Sequence, residues 1–379
     1  MATQTSTFGH IGGGEITQQD IDELTSLIGV EYPIPPGVEV FNGDVFRDYA
    51  TYCIANANPL WCDEAYARAQ GFPSRIGPPT VEYVVASRDV IIGGFGMHDR
   101  GIMGLHMSDD WELIRPVVPG DRIRAAYSLA GIKMRESRHA AGQAMEQTIR
   151  MEFRDAEDEL VSVWTRKSFR AKRAMNREGE RNGEAELYRY SDDEIAAIQR
   201  GIEAETVRGA EPRKFGSVKV GDSIGTVVKG PFTMMDMICW WIGAKGPFLY
   251  PFRMKHEMFE RHAGLAIIDP DTNIRLTPED SHWDPEYAKR NGVGGLYDAG
   301  KQRTASITHL ASNWMGDAGR LKRIYFEMRK PNMVGDTTWY SGSITETNPA
   351  DRTVTAAVEG RNQRGVVHSK GHVVIELPE

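Results

Sequence analysis

An internal repeat constrains the fold of this 379-residue chain more than any other feature. Residues 63–71 (DEAYARAQG) are matched by residues 284–292 (DPEYAKRNG), and residues 116–121 (PVVPGD) are matched by residues 331–336 (PNMVGD). The first pair of blocks is offset by 221 residues and the second by 215. Two matches in the same order and at nearly the same offset indicate two copies of one domain of about 170 residues.

Between its paired blocks, each copy has a stretch with the pattern of a long apolar helix, at about residues 80–94 and 301–315. Segments rich in Val, Ile and Thr come next and have the pattern of strands. The sequence therefore predicts an α+β protein in which each copy wraps an antiparallel sheet around one buried central helix. We place the domains at residues 1–173 and 211–379, with a linker and a helix at 174–210.

The charge balance argues against several classes of partner. Lys and Arg number 45 and Asp and Glu number 53, a net charge of −8, whereas binding to nucleic acid or to an anionic membrane needs a basic surface. No stretch has the 18 uncharged apolar residues of a membrane helix, and no signal peptide is visible. The three cysteines form no Cys-x-x-Cys pair, so we expect a cytoplasmic protein with reduced thiols.

One basic run stands out between residues 166 and 173. It comprises Arg166, Lys167, Arg170, Lys172 and Arg173. We predict that the run is a solvated strand end that leads into the linker. The alternative is that it lies near the phosphates of a ligand.

Residues 55–63 (ANANPLWCD), followed by Tyr66, Ala67 and Gly71, resemble the active-site segment of the MaoC-like (R)-specific enoyl-CoA hydratases. The Pro-x-x-x-Gly-Asp element of both halves is also typical of that family. The resemblance implies a tandem, or double, hot-dog fold. It also implies a site in which an Asp and a His handle water and a proton. A later Gly, at the start of the central helix, gives its backbone N–H to the thioester oxygen.

The first half departs from this family pattern at all three functional positions. Asn56 stands at the aspartate position, Trp61 at the histidine position and Pro79 at the glycine position. Asparagine is no base, indole does not shuttle protons near neutral pH, and proline has no N–H. We therefore expect the first half to be non-catalytic.

The second half keeps two of the three groups. His282 stands two residues before Asp284, and Gly300 follows His282 by eighteen residues, as in the family pattern. The resemblance makes His282 the acid/base and Gly300 the oxyanion donor. The family's aspartate position holds Thr277, so a carboxylate has to come from elsewhere. Asp280, Glu279 and Asp298 are the nearby candidates, and the sequence gives no ground for choosing between Asp280 and Asp298.

An insertion at residues 245–280 precedes His282 and is rich in aromatic residues and methionine. These residues are Phe248, Tyr250, Phe252, Met254, Met258 and Phe259. They predict either a small subdomain with its own core or a wide apolar pocket, and the second case would favour a bulky acyl group.

The expected function is that of a hydro-lyase on CoA thioesters, which hydrates a 2-enoyl-CoA or dehydrates a 3-hydroxyacyl-CoA. A hot-dog thioesterase, and a non-catalytic acyl-CoA-binding subunit of a heteromeric hydratase, stay open as alternatives. We expect CoA only as part of the substrate and no other cofactor. His256 and His262 are six positions apart and point to different faces of a helix, so we expect no zinc site. We also expect a homo-oligomer.

Overall fold

The computed structural model of the chain describes residues 15–86, 102–137, 142–172, 186–246, 249–261, 265–290 and 293–379. Among these residues, ten strands form one antiparallel sheet in the order β1-β3-β4-β5-β2-β9-β12-β11-β10-β6. The first half supplies β1 (Glu31–Ile34), β2 (Ile102–Leu113), β3 (Arg124–Ser137), β4 (Gly142–Arg154) and β5 (Leu160–Lys172). The second half supplies β6 (Ser223–Lys229), β9 (Arg320–Met328), β10 (Thr338–Asn348), β11 (Thr353–Asn362) and β12 (Val367–Glu376).

The two halves of the sheet have the same topology. Counted from the outer edge inwards, the strands of each half follow in the chain order first, third, fourth, fifth, second. The second strands of the two halves meet at the centre, where β2 pairs with β9 and Asp110 lies opposite Tyr325. This arrangement confirms the predicted fold class, a tandem pair of antiparallel sheets with helices on one face.

The repeated sequence blocks form the same local structures in both halves. In the two Pro-x-x-x-Gly-Asp turns, Gly120 and Gly335 have φ angles of 99° and 96°, which only glycine adopts easily. The aspartate of each turn accepts a bond from the N–H three residues before it, at 2.9 Å for Asp121 and 3.2 Å for Asp336. The repeated sequence therefore specifies the same turn in both halves.

Helices cover the inner face of the sheet and its edges. In the first half these are α1 (Gln18–Ser26), α2 (Gly43–Asp48), a π-helical turn (Tyr49–Ile54), α3 (Pro59–Cys62), α4 (Glu64–Ala69) and α5 (Tyr83–Ala86). The remainder of the chain adds α6 (Asp192–Glu203), α7 (Met234–Gly243), α8 (Phe252–Arg261), α9 (Pro285–Arg290) and α10 (Gly300–Met315). No helix of the described segments has the length and apolar character needed to span a lipid bilayer.

The central helix of the second half is α10, which was predicted at residues 301–315. Its side chains from Arg303 onwards are buried. It ends at Gly316, where a Cβ atom would stand 2.9 Å from the carbonyl oxygen of Glu211. Of the helix predicted at residues 80–94, the structure shows α5, preceded by a turn at residues 80–82 that the prediction had placed in the helix, and residues 87–94 lie outside the described residues.

Part of the insertion forms a small core of its own. Met258 and Phe259 of α8 pack with Leu265, and Tyr250 lies against them. A short hairpin of β7 (Ile267–Ile268) and β8 (Arg275–Leu276) follows. Phe252 is 90% exposed, so this side chain lines no pocket. These contacts favour the small-subdomain interpretation. Phe248, which was also named for the pocket, lies outside the described residues.

Candidate active site

His282 lies at the end of a 3₁₀ turn (Pro278–His282) that the insertion leads into. Its side chain is 11% exposed. Nδ1 lies 2.9 Å from the carbonyl oxygen of Tyr297, and because a carbonyl only accepts, Nδ1 carries the proton and donates. The neutral ring therefore presents an unprotonated Nε2, the atom that can take a proton from water. Tyr297 precedes Gly300 by three residues, so this bond ties His282 to the start of α10.

Glu279 is the carboxylate that faces His282. Its Oε2 lies 3.6 Å from His282 Nε2, and its side chain is 14% exposed. Burial raises the pKa of Glu279 above its ordinary value, although the charges of His282, Lys301 and Arg166 act in the opposite direction. A protonated carboxyl group beside an unprotonated imidazole nitrogen forms an acid/base pair with one proton between the two groups.

Asp280 stabilises the same turn through other partners. Its Oδ2 accepts hydrogen bonds from the backbone N–H of Thr277 at 2.6 Å and from the Thr277 hydroxyl at 2.7 Å. Its Oδ1 accepts from the indole of Trp283 at 2.8 Å. Both oxygens are therefore engaged in holding the 3₁₀ turn. Thr277, at the family's aspartate position, acts as the cap of this turn.

Asp298 is held in a buried ion pair. Its two oxygens accept from Arg303 at 2.8 Å and 2.5 Å, and Asn332 donates to Oδ2 at 3.2 Å. Arg303 also donates to the carbonyl oxygen of Lys330 at 2.6 Å. This network joins the loop before α10 to the segment that follows β9. The structure therefore brings Glu279 to His282 and commits both Asp280 and Asp298 to other partners.

Gly300 is the first residue of α10. The preceding Ala299 makes no side-chain cap, although its carbonyl oxygen accepts from the N–H of Gln302 at 2.9 Å. The N–H of Gly300 lies at the positive end of the helix dipole. An ideal Cβ atom on residue 300 would lie 3.0 Å from Cδ2 of His106. The first half thus covers the start of α10 and leaves little room for a Cβ atom on residue 300.

The first half supplies further groups around this helix terminus. Lys301 donates to the hydroxyl of Tyr83 at 2.8 Å, and burial lowers the pKa of Lys301 to about 8.

Asp109, on β2, accepts from Thr304 at 2.6 Å and from the indole of Trp164 at 2.8 Å. His106 Nε2 lies 2.8 Å from Asp109 Oδ1. The helix terminus of the second half is therefore enclosed by side chains of the first.

The basic run that was predicted to be solvated is split between the two faces of β5. Arg166 and Arg170 are 5% and 3% exposed, whereas Lys167 points outwards and pairs with Glu146. The solvated-run prediction is therefore wrong for the two arginines. The alternating pattern after the buried Trp164 places them on the inner face, and this period-two signal was present in the sequence.

Two first-half residues at the family's functional positions are buried. Asn56 donates to Asn313 at 2.8 Å, across to the second half, and Trp61 is fully packed in the core. That the first half is non-catalytic stays a prediction.

Two sequence comparisons identify relatives of the chain. A family profile described as "FAS1-like, dehydratase domain region" matches residues 26–163. A UPF0336 protein of Saccharopolyspora erythraea is 31% identical over 112 residues, which cover 29% of this chain and 70% of the relative.

Two solved structures resemble the whole chain. A MaoC-like dehydratase superposes with a TM-score of 0.65 at 19% identity, covering 94% of this chain and 99% of the other. A Mycobacterium tuberculosis protein described as having a double hotdog fold superposes with a TM-score of 0.54 at 12% identity, covering 97% and 99%. The chain has the double hot-dog fold, belongs to the family of this UPF0336 relative and matches a dehydratase domain region over residues 26–163.

Proposed function

We propose that the chain is a hydro-lyase that reversibly hydrates a 2-enoyl-CoA thioester or dehydrates the 3-hydroxyacyl-CoA. The observation that carries the proposal is the Glu279–His282 pair, whose facing atoms are 3.6 Å apart next to the loop that leads into Gly300. An acid, a base and an oxyanion donor are the three groups that addition of water to an enoyl thioester needs.

In the hydration direction, water attacks the β carbon of the enoyl group. His282 Nε2 takes a proton from that water while the electron pair of the double bond moves onto the thioester oxygen. The N–H of Gly300 stabilises the resulting enolate. Collapse of the enolate takes a proton from Glu279 onto the α carbon. A proton then returns from His282 to Glu279 across the 3.6 Å gap and restores the pair.

Dehydration follows the same steps in reverse. The Glu279 carboxylate removes the α proton, and the His282 imidazolium protonates the departing hydroxyl group. The thioester itself acidifies the α carbon, so the proposed reaction uses no metal ion and no organic cofactor. CoA enters only as part of the substrate.

The acyl group lies beside aromatic side chains in this proposal. The ring of Trp241 lies 5.6 Å from that of His282 and 5.8 Å from that of Trp283. These two tryptophans are the wall that we assign to the acyl group, and they suit a flat or bulky apolar chain. The substrate panel should therefore run from crotonyl-CoA to aromatic and polycyclic enoyl-CoA thioesters.

The test is mass spectrometry of that panel with wild type, His282→Ala and Glu279→Gln. His256→Ala is the matched control, since this histidine is exposed on α8. We expect a gain of one water that each site variant reduces at least about 100-fold and that the control retains. Release of free CoA would instead make the chain a thioesterase. Binding without any turnover would leave the role of a non-catalytic subunit with a heteromeric partner.

A further inference from the structure

Arg166 is a buried cation whose guanidinium group lacks a full set of partners. It projects from β5 onto the inner face of the sheet and is 5% exposed. Its Nε is buried and has no hydrogen-bond acceptor among the described residues. The guanidinium carbon lies 5.8 Å from the centroid of the Trp164 ring. A buried charge without an acceptor is costly to a protein unless a ligand provides one.

A second cation, Lys301, lies at the same Trp164 ring as Arg166. Burial lowers the pKa of both side chains, and the charge of Arg166 also lowers that of Lys301. The Lys301 ammonium lies 4.8 Å from the ring centroid of Tyr83 and 5.5 Å from that of Trp164. Neither aromatic group can neutralise it.

The two nearby carboxyl groups face other partners. Asp109 accepts from Thr304 and Trp164 and lies against His106. Glu279 Oε2 faces His282 Nε2 at 3.6 Å. Among the described residues neither carboxyl group accepts from Arg166 Nε, so this buried donor is left for a ligand.

We infer that Arg166 and Lys301 bind a carboxylate carried on the acyl chain of the substrate, so that the preferred thioester is that of a dicarboxylic acid. This inference rests on the proposed function. Lys301 directly follows Gly300, so the anion lies near the thioester end of the ligand. The phosphates of CoA are separated from the thioester by the pantetheine arm, which places them far from this position. A planar guanidinium group is also well suited to a carboxylate.

The first experiment measures binding rather than turnover. Succinyl-CoA and butyryl-CoA are saturated, so neither can be hydrated or dehydrated, and they differ by a carboxylate in place of a methyl group. We expect wild type to bind succinyl-CoA at least about tenfold more tightly, and Arg166→Gln to lose that preference. Lys167→Gln, on the outer face of the same strand, is the control and keeps it. Equal binding of the two ligands by wild type would overturn the inference.

CoA alone identifies the other possible anion. If Arg166→Gln weakens the binding of CoA as much as that of succinyl-CoA, the cations hold a phosphate and the inference is wrong. Because these assays need no catalysis, they can succeed even if hydratase activity is not found. A failure of the proposed function is therefore distinguishable from a failure of the inference.

A stability measurement covers the case in which Arg166→Gln folds poorly. If Arg166 awaits a ligand, its charge destabilises the unliganded protein, and Arg166→Met should raise the melting temperature without ligand. Succinyl-CoA should then stabilise wild type more than butyryl-CoA does and should lose that advantage in Arg166→Met. A lower melting temperature for Arg166→Met, with the succinyl-CoA advantage unchanged, would show a purely structural role and overturn the inference.

Discussion

The imidazole of His106 lies over the α carbon of Gly300, so that a Cβ atom on residue 300 would stand 3.0 Å from Cδ2 and 3.3 Å from Cβ of His106. These two residues come from different halves of the chain. His106 belongs to the half in which Asn56, Trp61 and Pro79 replace the family's functional residues, yet it limits the space for a side chain at the start of the other half's central helix. The two copies therefore act as one structural unit at the candidate site.

Gly300→Ala should be destabilising for this reason. We expect a loss of about 1 kcal/mol in the free energy of unfolding, at the lower end of the range for overpacked positions, together with a lower kcat because the N–H of residue 300 shifts. Urea denaturation and steady-state kinetics measure the two effects. In a His106→Ala background the added methyl group has room, so the stability loss should shrink. An equal loss in both backgrounds would show that His106 is not the cause.

The Glu279–His282 pair predicts a distinct pH dependence. Burial raises the pKa of Glu279, and hydration needs the protonated carboxyl group. The rate should therefore fall as pH rises through that raised pKa, and this alkaline limb should lie above the ordinary carboxyl range around 4.5. Because the pair shares one proton, hydration and dehydration should show the same limb.

The measurement is kcat/KM against pH for wild type and Glu279→Gln in both directions. The variant should show little residual rate and no such limb. An alkaline limb that persists unchanged in Glu279→Gln would assign it to another group.

The fold was predictable because its signals are local. The Gly-Asp turns and the Asp caps of the repeat depend only on residues within a short segment. The capped start of α4, where the Asp63 side chain accepts from the N–H of Tyr66, recurs at Asp284 and Tyr287. Such signals are visible in the sequence without knowledge of the partner half.

The candidate site was only partly predictable because its members come from distant segments. Glu279 could be named from its position beside His282, but its choice over Asp280 depends on which carboxylate caps the turn. His106 and Arg166 carry no motif, and the approach of His106 to the start of α10 arises only when the two halves pack. The spacing of residues within one half gives no information about side chains that the other half contributes to the site.

Asp298 should affect stability rather than chemistry. Asp298→Asn leaves the Arg303 guanidinium buried without its carboxylate, and both side chains are almost fully enclosed. We expect a loss of about 3–5 kcal/mol in the free energy of unfolding. At a temperature where the variant is folded, kcat should stay within about tenfold of wild type, because Glu279 and His282 are intact. A far larger loss of kcat in the folded variant would make Asp298 the catalytic carboxylate.

Glu82 provides a test of stability against pH. It is 2% exposed, its Oε2 has no hydrogen-bond partner in the described part of the chain, and burial raises its pKa to about 7. The folded protein therefore keeps a proton that the unfolded chain releases above about 4.5. The contribution of the protonated Glu82 to the free energy of unfolding is therefore complete below about pH 4.5, and it is lost as the pH rises through about 7.

Glu82→Gln removes this titration, so the variant should gain stability relative to wild type as pH rises from 4.5 to 7.5. The shift of the pKa sets an upper limit of about 3 kcal/mol on the gain. Urea denaturation at the two pH values measures it, and Glu159→Gln, at an exposed position, is the control that should show no comparable gain. A difference between Glu82→Gln and wild type that does not change with pH would mean that Glu82 keeps its charge at neutral pH, held by a partner such as Arg115, whose charge acts to lower its pKa.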